Sequence, residues 1–350
     1  MKFCNKVGIV TYGSYIPLRR IKVVDIARQW SKGEESIIKG LGILEKSVPA
    51  ADEDTITMAV TAATSALEKK EVTGIGAIYT GSESHPYAVK SSSAVIGEAL
   101  GIEHNYTAAD LEFACKAGTA AMQMAAGLIS SKAMSYALAI GSDTAQSRPG
   151  DALEYSAAAS AAAFVFGGDD KEIIAELMYS ASFTSDTPDF WRREYEHYPM
   201  HAGRFTGEPA YFKHIEGAVN LILKESKMKM KDFDHVVLHM PNAAFPKKAA
   251  KMLGITDKQL EQGFIVPNLG NTYSACSLTG LSAVLDVAKS QQKVLICSYG
   301  SGSGSDAFIF NITKNISKLK RIDTVSEQLD KKKYINYGEY LKLMRKINID

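Results

Sequence analysis

Cysteine is scarce and scattered in this chain. The four at positions 4, 115, 276 and 297 form no Cys-x-x-Cys pair, so neither a zinc site nor a disulfide framework organises the fold. The seven histidines show no metal-ligand spacing either, and no metal or bound cofactor is expected. An excess of one charge is also missing. Forty Lys and Arg against 39 Asp and Glu leave a net charge of +1, without the concentrated basic excess that phosphate recognition demands. No apolar run approaches a membrane span, and Met1-Lys2-Phe3-Cys4-Asn5-Lys6 leads straight into a strand pattern without a signal peptide. A cytoplasmic protein with neither nucleic acid nor membrane as partner is the expectation.

What is present is a chain of 350 residues, long enough for two domains or one large duplicated unit. Short apolar strands, such as 7–12, 77–80, 136–140, 162–166, 235–240, 294–298 and 307–311, alternate with helical stretches at 56–69, 91–100, 115–130, 210–226, 246–253 and 276–290. That alternation predicts a layered α/β fold. From Lys314 to Lys346 the composition turns Lys-rich, as in Lys331-Lys332-Lys333, and reads as a solvated helical tail.

Cys115 lies between Asp110-Leu-Glu-Phe-Ala and a helix of small residues, 116–130. A thiol at a strand-to-helix turn sits over the helix N-terminus, where backbone N–H groups and the macrodipole favour thiolate. The small side chains after it predict a helix buried on all sides. A nucleophile and an inert core cysteine both fit this position.

The order of elements repeats. Cys115-Lys-Ala-Gly-Thr-Ala-Ala-Met, Ala137-Leu-Ala-Ile-Gly141 and Ala162-Ala-Phe-Val-Phe-Gly167 have counterparts in Cys276-Ser-Leu-Thr-Gly-Leu-Ser-Ala, Leu295-Ile-Cys-Ser-Tyr-Gly300 and Asp306-Ala-Phe-Ile-Phe-Asn311. Two halves are expected, 1–170 and 171–350, with a cleft between them collecting both helix starts and the loops 81–87, 239–246 and 267–274. By this repeat Cys276 is the counterpart of Cys115, and composition lets either be the nucleophile. The glycine-rich run Tyr299-Gly-Ser-Gly-Ser-Gly-Ser-Asp306 lacks the strand-loop-helix setting and the lysine of a P-loop, which counts against nucleotide binding.

Seven pieces in this order, Thr80-Gly-Ser-Glu83-Ser, Glu112-Phe-Ala-Cys115-Lys-Ala, Gly141-Ser-Asp-Thr-Ala, Asp189-Phe-Trp-Arg192, His239-Met-Pro, Gly270-Asn271-Thr-Tyr273 and Tyr299-Gly-Ser-Gly302, carry a resemblance that covers the chain up to about Asn311. They resemble the thiolase superfamily and, within it, the archaeal branch of the 3-hydroxy-3-methylglutaryl-CoA synthase family. The resemblance implies a thiolase-like fold, a duplicated α/β/α/β/α unit with its active site between the halves. It also implies condensation of acetyl-CoA with acetoacetyl-CoA and hydrolysis of the enzyme thioester, serving the mevalonate route to isoprenoids.

Carried over residue by residue, Cys115 matches the nucleophile that takes the acetyl group. Its N–H and that of Ser301 match an oxyanion hole. Glu83 matches the general base, a carboxylate that needs a desolvated site to take a proton from a thioester methyl. His239 matches the group that orients acetoacetyl-CoA and polarises its carbonyl, with His235 as rival on the same strand. Asn271 matches a hydrogen-bond donor, although beside glycine it also reads as a turn residue. A lysine that bacterial relatives carry after the histidine is Ala244 here, which leaves Lys247 and Lys248 for the CoA phosphates. The aromatic and charged stretch 185–211 predicts an active-site cover or subunit contact, with Asp189-Phe-Trp-Arg192 facing substrate. A homodimer, and a complex with a thiolase and a small zinc-containing DUF35 protein, follow from the same resemblance. A ketoacyl synthase III using Cys115, His239 and Asn271 without Glu83, a thiolase using Cys276 as second cysteine, and a non-catalytic scaffold subunit are the alternatives.

Overall fold

Small residues dominate the strands, and their two faces pack against different helices. In the computed structural model, which describes residues 1 and 3–347, one sheet contains β1 (Gly8–Tyr15), β2 (Ile75–Gly81), β3 (Thr107–Leu111), β4 (Tyr136–Thr144), β5 (Ala159–Gly167), β6 (Ala175–Thr184), β7 (His235–Leu238), β8 (Lys293–Cys297) and β9 (Gly304–Ile312). Across it the order is β7-β8-β9-β6-β1-β5-β4-β2-β3. Strands β2 and β4 run parallel, and β5 then β1 follow antiparallel. Strands β7 and β8 likewise run parallel, and β9 then β6 follow antiparallel. The two copies meet where Gly8 and Ile9 of β1 pair with Glu176 and Ala175 of β6. A Cβ on Gly8 would lie 2.4 Å from the Ala175 carbonyl oxygen, so this seam requires glycine.

Four helices complete the layers: α1 (Thr55–Lys69), α2 (Ala117–Ser130), α3 (Phe212–Ser226) and α4 (Cys276–Val287). Successive strand residues point to opposite faces. Ala137 and Ala139 of β4 and Val294 and Ile296 of β8 therefore share a core with Ala121 and Met122 of α2 and Leu278 and Leu281 of α4. Leu138 and Ile140 turn the other way onto Ala59 and Ala62 of α1, while Leu295 and Cys297 turn onto Ile215 and Val219 of α3. The result is α1, half the sheet, α2 with α4, the other half, and α3: the duplicated α/β/α/β/α architecture. Within it α4 is buried from Cys276 to Asp286. Helix α2 is not buried on all sides, because Met124 is 40% exposed and Gly127 faces open space.

The Lys-rich C-terminal segment is not a solvated tail. The Val325 N–H donates to buried Asp286 at 2.8 Å, and the Gln328 side chain accepts from Ile16 N–H and donates to the Ser14 carbonyl. Lys333 and Tyr334 add a parallel strand beside Arg19 and Arg20 of the first half. The Tyr340 ring is buried, and its hydroxyl accepts from Lys46 at 3.2 Å and Lys346 at 2.8 Å. Buried Val325, Ile335 and Tyr340 anchor a segment whose composition is set by its exposed lysines, a pattern that amphipathic chains produce. Among the described residues no helix is long and apolar enough to cross a membrane.

Candidate active site

Cys115 stands on a tight turn rather than in the helix. Ala114 before it takes φ +45°, Lys116 caps the helix, and α2 begins at Ala117. The end of β2 passes over this point so closely that a Cβ on Gly81 would meet the Ala117 carbonyl carbon at 2.1 Å. Only glycine permits that approach, and it delivers the loop carrying Glu83 to the thiol. Buried Asp143, at the end of β4, fixes the loop by accepting from Ser82 Oγ (2.7 Å), the Glu83 N–H (2.8 Å) and Ser84 Oγ (2.7 Å). Its other oxygen accepts from the Ser274 N–H at 2.8 Å, tying in the approach to α4.

The Glu83 carboxyl lies against the Cys115 thiol. Burial, and then the Asp143 charge, raise it from the usual carboxylate range to about 8, against the opposing influence of the thiol and Arg192. Its Oε1 is buried with no hydrogen-bond partner. The thiol is likewise pushed well above the ordinary cysteine value, first by burial and then by Glu83. The expectation that the helix N-terminus favours thiolate is thus overturned: desolvation and a neighbouring carboxylate outweigh the partial charge of the helix end. The resting pair is a thiol beside a carboxyl poised to exchange its proton.

Cys115, Asn271 and Ser301 line one cavity of about 250 Å³, with Tyr273, Tyr299 and Phe190 among its walls. Asn271 Oδ1 accepts from the Tyr273 N–H at 3.0 Å, which leaves the amide NH₂ to donate. Among the described residues neither the Cys115 nor the Ser301 N–H donates to a backbone carbonyl. Asp189, expected to face substrate, instead holds the turn that bears Ser301, accepting from the Gly302 N–H at 3.1 Å and the Tyr299 hydroxyl at 2.8 Å. Phe190 reaches the cavity in its place, edge-on to Tyr273 at 6.3 Å. Arg192 donates to the Glu83 carbonyl at 3.3 Å, which brings the 185–211 stretch against the loop of the base as well as the cavity wall. His201 of this stretch also lines the cavity, its Nε2 2.9 Å from Asp151.

His239 follows the last residue of β7 and is fully buried. The Tyr211 hydroxyl holds its carbonyl at 2.7 Å, the Tyr299 ring lies 6.2 Å away, and both ring nitrogens lack partners. Burial lowers it to about 3, so the imidazole is neutral. His239 itself does not line the cavity, nor does Glu83; Pro241 and Asn242, two and three residues after the histidine, do. His235, at the far end of β7, meets Gln292 instead. Cys276 does not line the cavity: its sulfur accepts from the Met240 N–H at 3.4 Å, and burial pushes the thiol up to about 12. Lys247 and Lys248 are exposed on the helix Ala244–Leu253, outside the cavity, over the Phe264 and Phe212 rings respectively, with Lys248 3.5 Å from Glu208.

Residues 223–312 match the 3-oxoacyl-(acyl-carrier-protein) synthase III C-terminal family. Over nearly its full length the chain is similar to hydroxymethylglutaryl-CoA synthase of Archaeoglobus fulgidus, at 52% identity over 97% of this chain and 99% of the relative. It is 51% identical to that of Thermoplasma volcanium over 97% of each. Among solved structures it superposes on an HMG-CoA synthase complexed with CoA, with a TM-score of 0.87 and 21% identity over 96% of this chain and 90% of the other. MvaS in complex with 3-hydroxy-3-methylglutaryl coenzyme A gives 0.89 and 21% over 99% and 92%.

Proposed function

The chain belongs to the hydroxymethylglutaryl-CoA synthase family, and from that premise we propose that Cys115, Glu83 and His239 carry the family's condensation of acetyl-CoA with acetoacetyl-CoA. The observation that supports this reading is the buried Glu83 carboxyl, raised to about 8, against the Cys115 thiol. As Cys115 sulfur attacks the acetyl carbonyl, its proton passes to the Glu83 carboxylate and from there to the departing CoA sulfur. The carbonyl oxygen gains charge between the N–H groups of Cys115 and Ser301. Glu83 then takes a proton from the methyl group of the acetyl-cysteine, and the resulting enolate carbon attacks the ketone of acetoacetyl-CoA. Neutral His239 donates one N–H to that ketone, Asn271 donates its amide, and Glu83 returns the proton to the new alkoxide. Water activated by the same carboxylate releases the product.

Lys247 and Lys248 are assigned to the CoA phosphates, two and three residues beyond Phe245 of the cavity wall. The reading keeps two halves divided at residue 170 and a homodimer formed through the first half, whose outermost strand β3 leaves an unpaired edge in this sheet. The complex with a thiolase and a DUF35 protein remains part of the same proposal. The test is Glu83→Gln: mixed with acetyl-CoA it should still form acetyl-Cys115 by mass spectrometry, yet fail to make the carbon–carbon bond. Condensation at the wild-type rate would restore the ketoacyl synthase alternative, and no label at Cys115 in the wild type would leave the scaffold one.

A further inference from the structure

A buried ion pair beside the nucleophile has no part in the steps above. Lys116, directly after Cys115, is 5% exposed, and its Nζ stands 3.0 Å from Asp306 Oδ2. The same ammonium sits 3.8 Å from the centre of the Phe113 ring. Its stem lies on Gly300, where a Cβ would come within 2.8 Å of Lys116 Cγ. Asp306 belongs to β9, just beyond the turn closed by the Gly300 N–H on the Gly304 carbonyl at 2.7 Å. Its Oδ2 also accepts from Thr119 Oγ1 in the first turn of α2 at 2.9 Å, and its Oδ1 from Ser182 Oγ at 2.7 Å. Ser298, on the opposite arm of the turn, donates its N–H to the Asp306 carbonyl, and its hydroxyl meets Thr119 Oγ1 at 2.7 Å.

These contacts join two pieces of chain that the sheet does not register against each other. Cys115 comes from the first half and Ser301 from the second, and among the described residues no backbone hydrogen bond connects 113–117 with 299–303. The Lys116–Asp306 pair, with Thr119, spans that gap next to Cys115 in chain and against Gly300, the residue before Ser301. We infer that Lys116 and Asp306 are positioning residues that set the spacing between the Cys115 and Ser301 N–H groups, and so the fit of the oxyanion hole to an acyl tetrahedral intermediate. The inference rests on the assignment of those two amides made above. A buried ion pair adds little net stability over an apolar replacement, so stability alone does not account for one at this place. The ammonium is turned to Asp306 at 3.0 Å, and the rate of Cys115 alkylation separates a positioning role from activation of the thiol.

The test compares wild type with the double variant Lys116→Met/Asp306→Asn, which removes both charges and strands neither. Folding is checked by thermal unfolding. Transfer of labelled acetyl from acetyl-CoA to Cys115 needs an oxyanion hole, whereas alkylation of the same thiol by iodoacetamide does not. The expected result is acetylation slowed by about 10- to 100-fold at saturating acetyl-CoA, with KM and the alkylation rate changed by less than about threefold. Acetylation within about twofold of wild type, or alkylation falling in step with acetylation, overturns the inference. If the double variant does not fold, Asp306→Glu decides, because it keeps the charge and moves the carboxylate by one methylene; the same split is expected, and wild-type acetylation in it overturns the inference. A wild type that is not acetylated at Cys115 would instead refute the catalytic assignment on which it stands.

Discussion

Condensation starting from the acetyl-enzyme should climb steeply between pH 7 and pH 9, because the base that drives it is protonated at neutral pH. Burial and Asp143 raise Glu83 to about 8, while the Cys115 thiol and Arg192 pull it down. With a midpoint of 8, about one carboxyl in ten is ionised at pH 7 and about nine in ten at pH 9, a tenfold gain in competent enzyme. Acetylation removes the thiol hydrogen that stabilises the carboxylate, which moves the midpoint up and steepens the rise. Arg192→Gln withdraws the other stabilising influence and should shift the curve to still higher pH. The assay is rapid quench of pre-acetylated protein with acetoacetyl-CoA across pH 6 to 9.5, scoring carbon–carbon bond formation and subtracting uncatalysed thioester loss. A profile flat over this range, or one already saturated at pH 6, would mean that Glu83 titrates like an ordinary exposed acid and would refute the argument from burial.

The same raised value carries a stability consequence: Glu83 contributes fully below about pH 4.5 and progressively less as pH rises through 8, because folding then buries a charge. Glu83→Gln should therefore match wild type in thermal unfolding near pH 4 and exceed it at pH 9, and a variant no more stable at pH 9 would contradict the burial of the charge. Tyr340→Ala should cost about 3–5 kcal/mol from the lost ring, and Tyr340→Phe about 1–3 kcal/mol from unpaired lysine donors, by guanidinium unfolding; a loss of less than about 0.5 kcal/mol in Tyr340→Ala would make the C-terminal segment dispensable to the fold. Cys115→Ala should abolish acetyl-enzyme formation while Cys276→Ser, which preserves an acceptor for the Met240 N–H, keeps most activity; acetyl label on Cys276 would reverse the roles of the two thiols.

Legibility followed sequence distance. The turn at Cys115, the alternation in β4, β5, β8 and β9, and the repeat were readable because each is local or self-similar. Strand β6 was passed over although Leu177, Tyr179, Ala181 and Phe183 alternate with Ser180, Ser182 and Thr184, because it has no unbroken apolar run like those of β5 and β9. The roles of Asp143 and Asp189 were hidden for a different reason. Asp143 gathers donors 60 and 131 residues away, and Asp189 one 113 residues away, and no local pattern announces a buried carboxylate whose partners lie in other segments. The ionisation of Cys115 was misjudged because a helix start is visible in sequence whereas burial and a carboxylate 32 positions earlier are not.

The sequence repeat pairs the thiols near the starts of α2 and α4, but the structure puts Ser274, not Cys276, in the place of Cys115, because bend and helix start fall at Ala114 and Ala117 in the first copy and at Tyr273 and Cys276 in the second. At α2 the turn at Ala114 sets Cys115 off the helix at the cavity wall, with Glu83 as the thiol's polar neighbour. At α4 the bend falls at the matching place, Tyr273 with φ +49°, and Cys276, three residues after it, is the first helical residue and is buried. Its sulfur is then occupied by the backbone of Met240, the residue after His239. A displacement of the thiol by two residues along otherwise matching turns, one place after the bend in the first copy and three in the second, thus makes one cysteine available for acyl transfer and the other a support for the histidine loop.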